Sequence, residues 1–524
     1  MMHPLTIFIL LLVGAGASLL LARLRPRYAP PAAIVAATVV TLSWLLARPQ
    51  LPLTYSVSPW PAALSLPAWT WRVDAFAWEL SLGVLILVTA VTFYRRKGEQ
   101  PLLLAGLSVP PGALALLFGA AGLVALWADS LPGLLTGWTL LSVVFFAALF
   151  TSPALRERPS ALWSRLGAGW MSLFFLWLAA ATFPQTAVGL DMRGWPVLTR
   201  SLLLIAALFQ IGIFPFHWWR PPAAALSSGV AALAHTVPAA AGALLWARLE
   251  ANSDIGLAFA LPLTLLGLLG LFAAAYRAWS RPDTPRRVAA VLVLGQASFI
   301  LLAGMWAGPD AVVAEGRVLL LAGGLLLLAA PALKEAAPLF RLGPLIAALA
   351  MAGIPLTAGF TGRALLYGAW QDEGRWILIL TTVILHLPLA AAALMLVLED
   401  VQDQFEGSLA LPELASAAHT LVPVLGLPAV AALAGAPLLS WPAVLLPIAA
   451  GAALTRYTEE AYQVQRLLRA ALTPNVPATG AIGSAVRTAG RSLSQAIRQA
   501  AAVVEGENGV LWLLLLLVIV WLAR

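Results

Sequence analysis

Apolar blocks long enough to cross a bilayer recur from one end of this chain to the other, and nothing else constrains its fold as strongly. A lipid-spanning helix takes about 20 mostly apolar residues, because each backbone polar group must be satisfied within the segment itself. Stretches of that kind, bounded by charges, proline or glycine, fall near residues 5–22, 31–48, 74–94, 110–128, 131–151, 162–183, 198–217, 222–247, 255–276, 287–307, 317–333, 342–361, 376–398, 415–435, 438–455 and 509–523, about sixteen spans in all. Only 10% of residues are charged and 61% are hydrophobic, with a mean hydropathy of +0.90. A soluble domain carries about a quarter charged residues, so this chain cannot cover itself with polar surface. The expected fold class is an all-α polytopic transmembrane helical bundle. Its first block, Leu5 to Leu21, resembles a signal sequence in length, but further spans follow and no clear small-residue cleavage site precedes Arg23, so it reads as a retained helix.

Basic residues set the expected orientation. The clusters Arg23/Arg25/Arg27, Arg95/Arg96/Lys97, Arg156/Arg158, Arg277/Arg281/Arg286/Arg287 and Lys334/Arg341 all fall on one side of the predicted bundle. By the positive-inside rule that side is cytoplasmic, which places both termini outside a prokaryotic-type cell membrane. The stretch from Glu399 to Glu413 should be cytoplasmic yet carries only acids, which weigh little in that rule. The formal charge of +8 is thereby explained without a nucleic-acid partner; the expected surroundings are the lipid bilayer and other membrane subunits. No cysteine is present, which excludes thiolate iron–sulfur clusters, disulfides and cysteine-ligated zinc. Five scattered histidines show no metal spacing and no glycine-rich phosphate loop follows a strand, so no metal, cofactor or catalytic residue is expected.

Two regions are not ordinary spans. Residues 49–73, with Trp60, Trp69 and Trp71 among prolines, suit an external loop at headgroup level. Residues 456–507 space arginines among Ala and Leu in a way that suits amphipathic helices along the cytoplasmic interface, broken near Pro474, Pro477 and Gly480; a plain linker is the alternative. The chain then divides into N-terminal helices with the Trp/Pro loop (1–107), a core (108–400), peripheral helices (401–455), the lateral segment (456–507) and a last span (508–524).

Within hydrocarbon, an interrupted helix persists only where neighbours or a watery cavity satisfy the freed backbone, so proline and glycine inside spans are pointers to a site. They concentrate in Gln210-Ile211-Gly212-Ile213-Phe214-Pro215-Phe216-His217-Trp218-Trp219-Arg220-Pro221, continuing to His235 and Pro238, and in Ala352-Gly353-Ile354-Pro355-Leu356-Thr357-Ala358-Gly359-Phe360-Thr361-Gly362-Arg363. The expected breaks are at Pro215, Pro238 and Pro355.

These stretches resemble the antiporter-like subunits of respiratory complex I, cation/proton antiporter complexes, membrane-bound hydrogenases and a bicarbonate-uptake complex. The run Phe214-Pro215-Phe216-His217 through Trp219 and Pro221 to His235 is similar in register to that family's Pro…His-x-Trp-x-Pro stretch and following His. Arg286-Arg287-Val288-Ala289-Ala290 with Gln296 resembles its Lys-Arg-Val-Leu-Ala run and Ser-Gln, and Ala352 to Arg363 resembles its segment ending in Gly-Phe and a charged residue. Arg72-Val73-Asp74-Ala75 is similar to the start of its third helix. The resemblance covers residues 70 to 400 and implies two inverted five-helix repeats with broken helices, peripheral helices and a lateral segment, carrying protons within a larger complex.

The departures bear on mechanism. The family's proton path uses a Glu after a Trp in the fifth helix, a Lys in the seventh and further Lys, His or Glu beyond. Here Thr139 follows Trp138, Gln210 stands at the seventh-helix position, and Arg286, Arg317 and Arg363 occupy lysine positions. Guanidinium stays protonated and Gln and Thr do not titrate, so these substitutions keep a polar axis while removing its known exchanging groups. The groups that can titrate are Asp74, Glu79, Glu315, Lys334, Glu335, His235, His386 and His419. Each has a second reading: His235, His386 and His419 as packed histidines bonded between helices, Glu79 as the partner of a neighbouring cation, Lys334 and Glu335 as a solvated loop. Three functions remain open at this point: a proton-conducting subunit, a non-conducting scaffold paralogue, and the partner of a soluble carbonic-anhydrase-like protein in bicarbonate uptake. A membrane transferase lacks the grouped carboxylates or histidines it needs.

Overall fold

A computed structural model describes residues 3–48, 51–57, 69–94, 102–104, 107–182, 190, 192–252, 259–280, 284–335, 338–398 and 440–456. The long helices are α1 (Pro4–Leu24), α2 (Ala29–Leu45), α3 (Ala75–Phe93), α4 (Pro111–Trp127), α5 (Leu131–Phe150), α6 (Pro159–Ala181), α7 (Val197–Ile211), α8 (Ser228–Asn252), α9 (Ala260–Ser280) and α10 (Pro285–Ala307). There follow α11 (Pro309–Arg317), a π-helical turn (Val318–Gly323), α12 (Gly324–Ala329), α13 (Pro338–Ala352), α14 (Ala358–Asp372), α15 (Trp376–Leu398) and α16 (Ser440–Arg456). Among the described residues, nine helices are long and apolar enough to cross a membrane, or ten with the bent pair Val197–Ile211 and Phe216–Ala225 taken as one span. The expected spans at 415–435 and 509–523, His419, Trp60 and the lateral segment lie outside the described residues.

The reading of an all-α bundle holds, with two small additions. Leu53–Val57 pairs antiparallel with Trp69–Val73 (β1 and β2), and Leu102–Leu104 with Leu107–Val109 (β3 and β4). The first hairpin occupies the region expected to be a loop. It packs on the bundle end, where Trp71 bridges to Ala128 and the rings of His3 and Tyr55 meet edge-on at 4.1 Å.

Helix starts follow ordinary capping chemistry. Asp74 Oδ1 accepts from the Ala77 amide at 2.8 Å, opening α3, and Ser130 Oγ does the same for Gly133 in α5. A cap of this kind contributes about 1 kcal/mol. Inside lipid there is no hydrophobic drive between helices, so association rests on close packing and interhelical hydrogen bonds. The central helix α8 is rich in Ala and Gly and buried from Ser228 to Leu249. At Gly242 a Cβ would lie 2.7 Å from the Ile211 amide nitrogen, so the missing side chain is what lets α7 end against α8. Thr41 and Thr89 join α2 to α3 at 2.9 Å, and Trp127 Nε1 donates to Ser81 across α4 and α3 at 3.0 Å. The outer faces expose apolar side chains such as Trp163, Trp170 and Trp177 on α6.

Two expected breaks appear and one does not. The chain departs from helix between Ile211 and Phe216, and again between Ala352 and Ala358. Pro238 does not interrupt α8, which runs straight through it. A proline withholds one amide donor, and in a helix packed on all sides neighbours accommodate that loss without a break. Irregularity falls instead on the π turn at Val318–Gly323, which carries no proline for a sequence reading to detect.

Candidate functional site

At the first break α7 closes on Gly212 at φ +68, a left-handed conformation that favours glycine. Helix ends leave carbonyls without intrahelical donors, and within a membrane these need partners. Trp219 Nε1 donates to the Phe209 carbonyl at 2.7 Å and Arg220 Nη2 to that of Ile211 at 2.5 Å. Arg165 on α6 donates to the carbonyls of Trp218 and Arg220. Arg277 Nη1 lies 2.8 Å from His217 Nε2, which must accept because guanidinium only donates.

His235, on α8, is 2% exposed beside Arg220 and Arg165. Neither of its ring nitrogens makes a hydrogen bond of acceptable geometry, although the Pro221 backbone is close. Gln210 is buried and, with Ser142, Trp219 and Pro238, lines a cavity of about 20 Å³, room for about one water. Thr139 is not there. It is exposed on the outside of α5 with its hydroxyl donating to the Leu135 carbonyl at 2.7 Å. The helical turn that follows presents Ser142 to the cavity instead, a residue that sequence reasoning passed over because only its face, not its type, marks it. Arg286 is half-buried and ties the connection into α8, through Ser228 Oγ at 2.6 Å and the Leu226 carbonyl at 3.2 Å.

Around the second break the polar groups are more enclosed. Gly353 at φ +85 ends α13, and Thr357 caps α14 through the Phe360 amide. Arg363, one and a half turns into α14, has no solvent exposure, and Glu315 on α11 has 1%. Gln296 on α10 joins them: its Nε2 donates to the Glu315 carboxylate Oε2 and, at 3.1 Å, to the Glu315 carbonyl. Its Oε1 accepts from Arg363 Nη2 at 3.1 Å. Arg363 Nε stands 3.9 Å from Glu315 Oε1, near enough for an ion pair but outside hydrogen-bonding distance. The guanidinium lies over the Phe299 ring at 4.5 Å, and that ring meets His386 edge-on at 5.0 Å. His386 Nε2 is 3.4 Å from the Met351 carbonyl, at the last turn before the break.

A third charged pair sits along α11, where Arg317 Nη1 and Glu79 Oε2 of α3 are 3.2 Å apart and both half-buried. This is the neighbouring cation expected for Glu79. Closer to the hairpin end, Arg248 reaches Asp74 at 3.7 Å and the Ala128 and Arg72 carbonyls. Lys334 falls in a 3-10 turn (Ala330–Glu335), and its side chain lies outside the described residues. The structure thus brings Arg363, Glu315, Gln296 and His386 together, and Gln210 and His235 near the other break. Arg286 and Arg317 stand at the margins and Thr139 outside.

Charged side chains buried at the interruptions of long apolar helices define the class, an integral, multi-pass membrane protein. The comparisons point to a likeness with antiporter-like membrane subunits, from which the chain is divergent. It is 28% identical over 285 residues to NADH-quinone oxidoreductase subunit N of Rhodopseudomonas palustris, a match covering 49% of this chain and 62% of that relative. It is 26% identical to subunit N 2 of Solidesulfovibrio magneticus, over 41% of this chain and 51% of the relative. The chain therefore spans between about half and three fifths of the length of these curated relatives. Its fold is that of a chain in the Mrp complex from a Dietzia species, with a TM-score of 0.71 at 19% identity over 98% of this chain and 62% of the other. It is also that of a chain in respiratory complex I from Thermus thermophilus, with a TM-score of 0.61 at 19% identity over 85% of this chain and 98% of the other. No family model matches.

Proposed function

We propose that this antiporter-like subunit conducts protons across the membrane as part of a multi-subunit complex, of the NADH:quinone oxidoreductase or Mrp kind, in which other membrane subunits are its partners. One observation carries the reading: the ionisable cluster of Glu315, Arg363 and His386 is almost wholly buried against a helix break. Buried charge is expensive in lipid, and a cluster that only held helices together is replaceable by well-packed apolar residues. The two breaks correspond, on this reading, to the two inverted repeats, and residues 108–400 to the conducting core.

Reconstitution into liposomes containing a pH-sensitive dye tests the proposal, with the chain purified alone and together with the subunits that co-purify with it. Proton flux above that of empty liposomes is expected. Its absence in both preparations leaves the scaffold paralogue, a reading favoured by the position of Thr139 and by Gln210, neither of which exchanges a proton.

A further inference from the structure

We infer that the proton-exchanging group of the second half is the Glu315 carboxylate, with Arg363 as a fixed counter-charge beside it. The inference rests on the proton-conducting reading and names its chemistry. Arginine at position 363 cannot take part by losing a proton, because guanidinium stays charged. A carboxylate next to it can gain and lose one, and Glu315 is the acid whose side chain sits in that cluster with 1% exposure.

The contacts are arranged so that one oxygen of Glu315 is held and the other is open. Oε2 accepts from Gln296 Nε2, whereas Oε1 has no hydrogen-bond partner and faces Arg363 Nε across 3.9 Å. Arg363 Nε and Nη1, Tyr367 Oη and His386 Nδ1 are likewise buried without hydrogen bonds. A structural ion pair closes such gaps. Left open, they suit transient water and a proton arriving at Oε1. The backbone is shaped to keep the gap narrow: at Gly362 a Cβ would lie 2.5 Å from Oε1, and at Gly353 one would overlap Arg363 Nη1.

The step balances without another reagent. The carboxylate takes a proton on Oε1 to become the neutral acid, which weakens its attraction to Arg363, and releases the same proton to water on the far side. Two residues along α11, Arg317 and the half-exposed Glu79 are the next charged groups that such water meets. The ionisable groups around Glu315 are Arg363 and Tyr367 from α14, His386 from α15 beyond Arg363, and Arg317 with Glu79. Gln296 is the polar contact from α10, and α8 and α3 present Ala243 and Leu80 to this segment of α11 at Gly316.

The test uses the full chain with its co-purifying subunits. Glu315→Gln keeps size and hydrogen bonding to Gln296 but cannot ionise, and proton flux is expected to fall at least tenfold, whereas Glu315→Asp retains part of it. Infrared difference spectra between high and low pH give an independent readout: a protonated-carboxyl band of the parent protein is expected to vanish in Glu315→Gln. Should that variant fail to assemble, Arg363→Lys moves the cation and must shift the pH midpoint of both band and flux. Parent-level flux in Glu315→Gln, a carboxyl band that survives there, or an unshifted midpoint in Arg363→Lys overturns the inference. Absence of flux in the parent protein instead removes the conducting reading on which it rests.

Discussion

At the scale of single residues, the second site shows how a residue without a side chain can control one that carries charge. Gly362 lies on α14 one position before Arg363, and its missing Cβ makes room for the Glu315 carboxylate, whose Oε1 and Cγ would sit 2.5 and 2.6 Å from it. Gly362→Ala therefore forces the carboxylate out of its place or parts α11 from α14. Overpacking of this kind destabilises by about 1–3 kcal/mol. A lower melting temperature in detergent is expected, together with reduced flux in liposomes; a variant that matches the parent protein in both measurements contradicts the packing described. The residues of this site were legible to unequal degrees. Arg363 stood out because it closes a Gly-Pro-rich interruption, but Glu315 was one of eight titratable candidates with nothing in its neighbourhood to promote it. Gln296 meets Glu315 across 19 residues and Arg363 across 67, which no local pattern encodes.

At the scale of elements, spans were readable because lipid imposes length and composition, and breaks were readable only where proline and glycine coincide with them. Gly212 with Pro215, and Gly353 with Pro355, met that condition. Pro238 had the residue without the break, and the π turn after Arg317 has the break without the residue. The first interruption is held by side chains that satisfy its free carbonyls, so its geometry depends on φ at Gly212 and on Arg220 behind it. Replacing Gly212 by Ala requires an L-residue at φ +68, which costs roughly 1–2 kcal/mol. It also sets a Cβ 2.8 Å from Arg220 Nε, with no space to yield towards Trp219. Loss of thermal stability is expected for Gly212→Ala, and hydrogen exchange of α7 amides faster than in the parent protein reads the loosened junction directly. Exchange unchanged across Phe209–Ile211 counts against this account of the break.

At the scale of the whole molecule, the two ends of the bundle differ in charge, and that difference predicts its orientation. The hairpin end mixes Arg72, Arg248 and Arg375 with Asp74, Asp129, Asp310 and Glu373. There burial raises the Asp129 carboxyl above its usual range while Arg248 and Arg72 oppose the shift. The other end gathers Arg23, Arg25, Arg27, Arg156, Arg158, Arg286 and Arg287. Because loop Lys and Arg, not net charge, set topology, the arginine-rich end is expected in the cytoplasm and the β1–β2 hairpin outside. The chain contains no cysteine, so single substitutions report without background. Ser56→Cys on the hairpin and Ser160→Cys at the start of α6 are both exposed and lie at opposite ends. A membrane-impermeant maleimide applied to intact cells should label the first and reach the second only after permeabilisation. Thr139→Cys, exposed on the outer face of α5, should react with a lipid-soluble reagent and resist the impermeant one under both conditions. Labelling of Ser160→Cys in intact cells reverses the orientation. Water-borne labelling of Thr139→Cys places that residue on an aqueous path and restores it to the axis from which its geometry removes it.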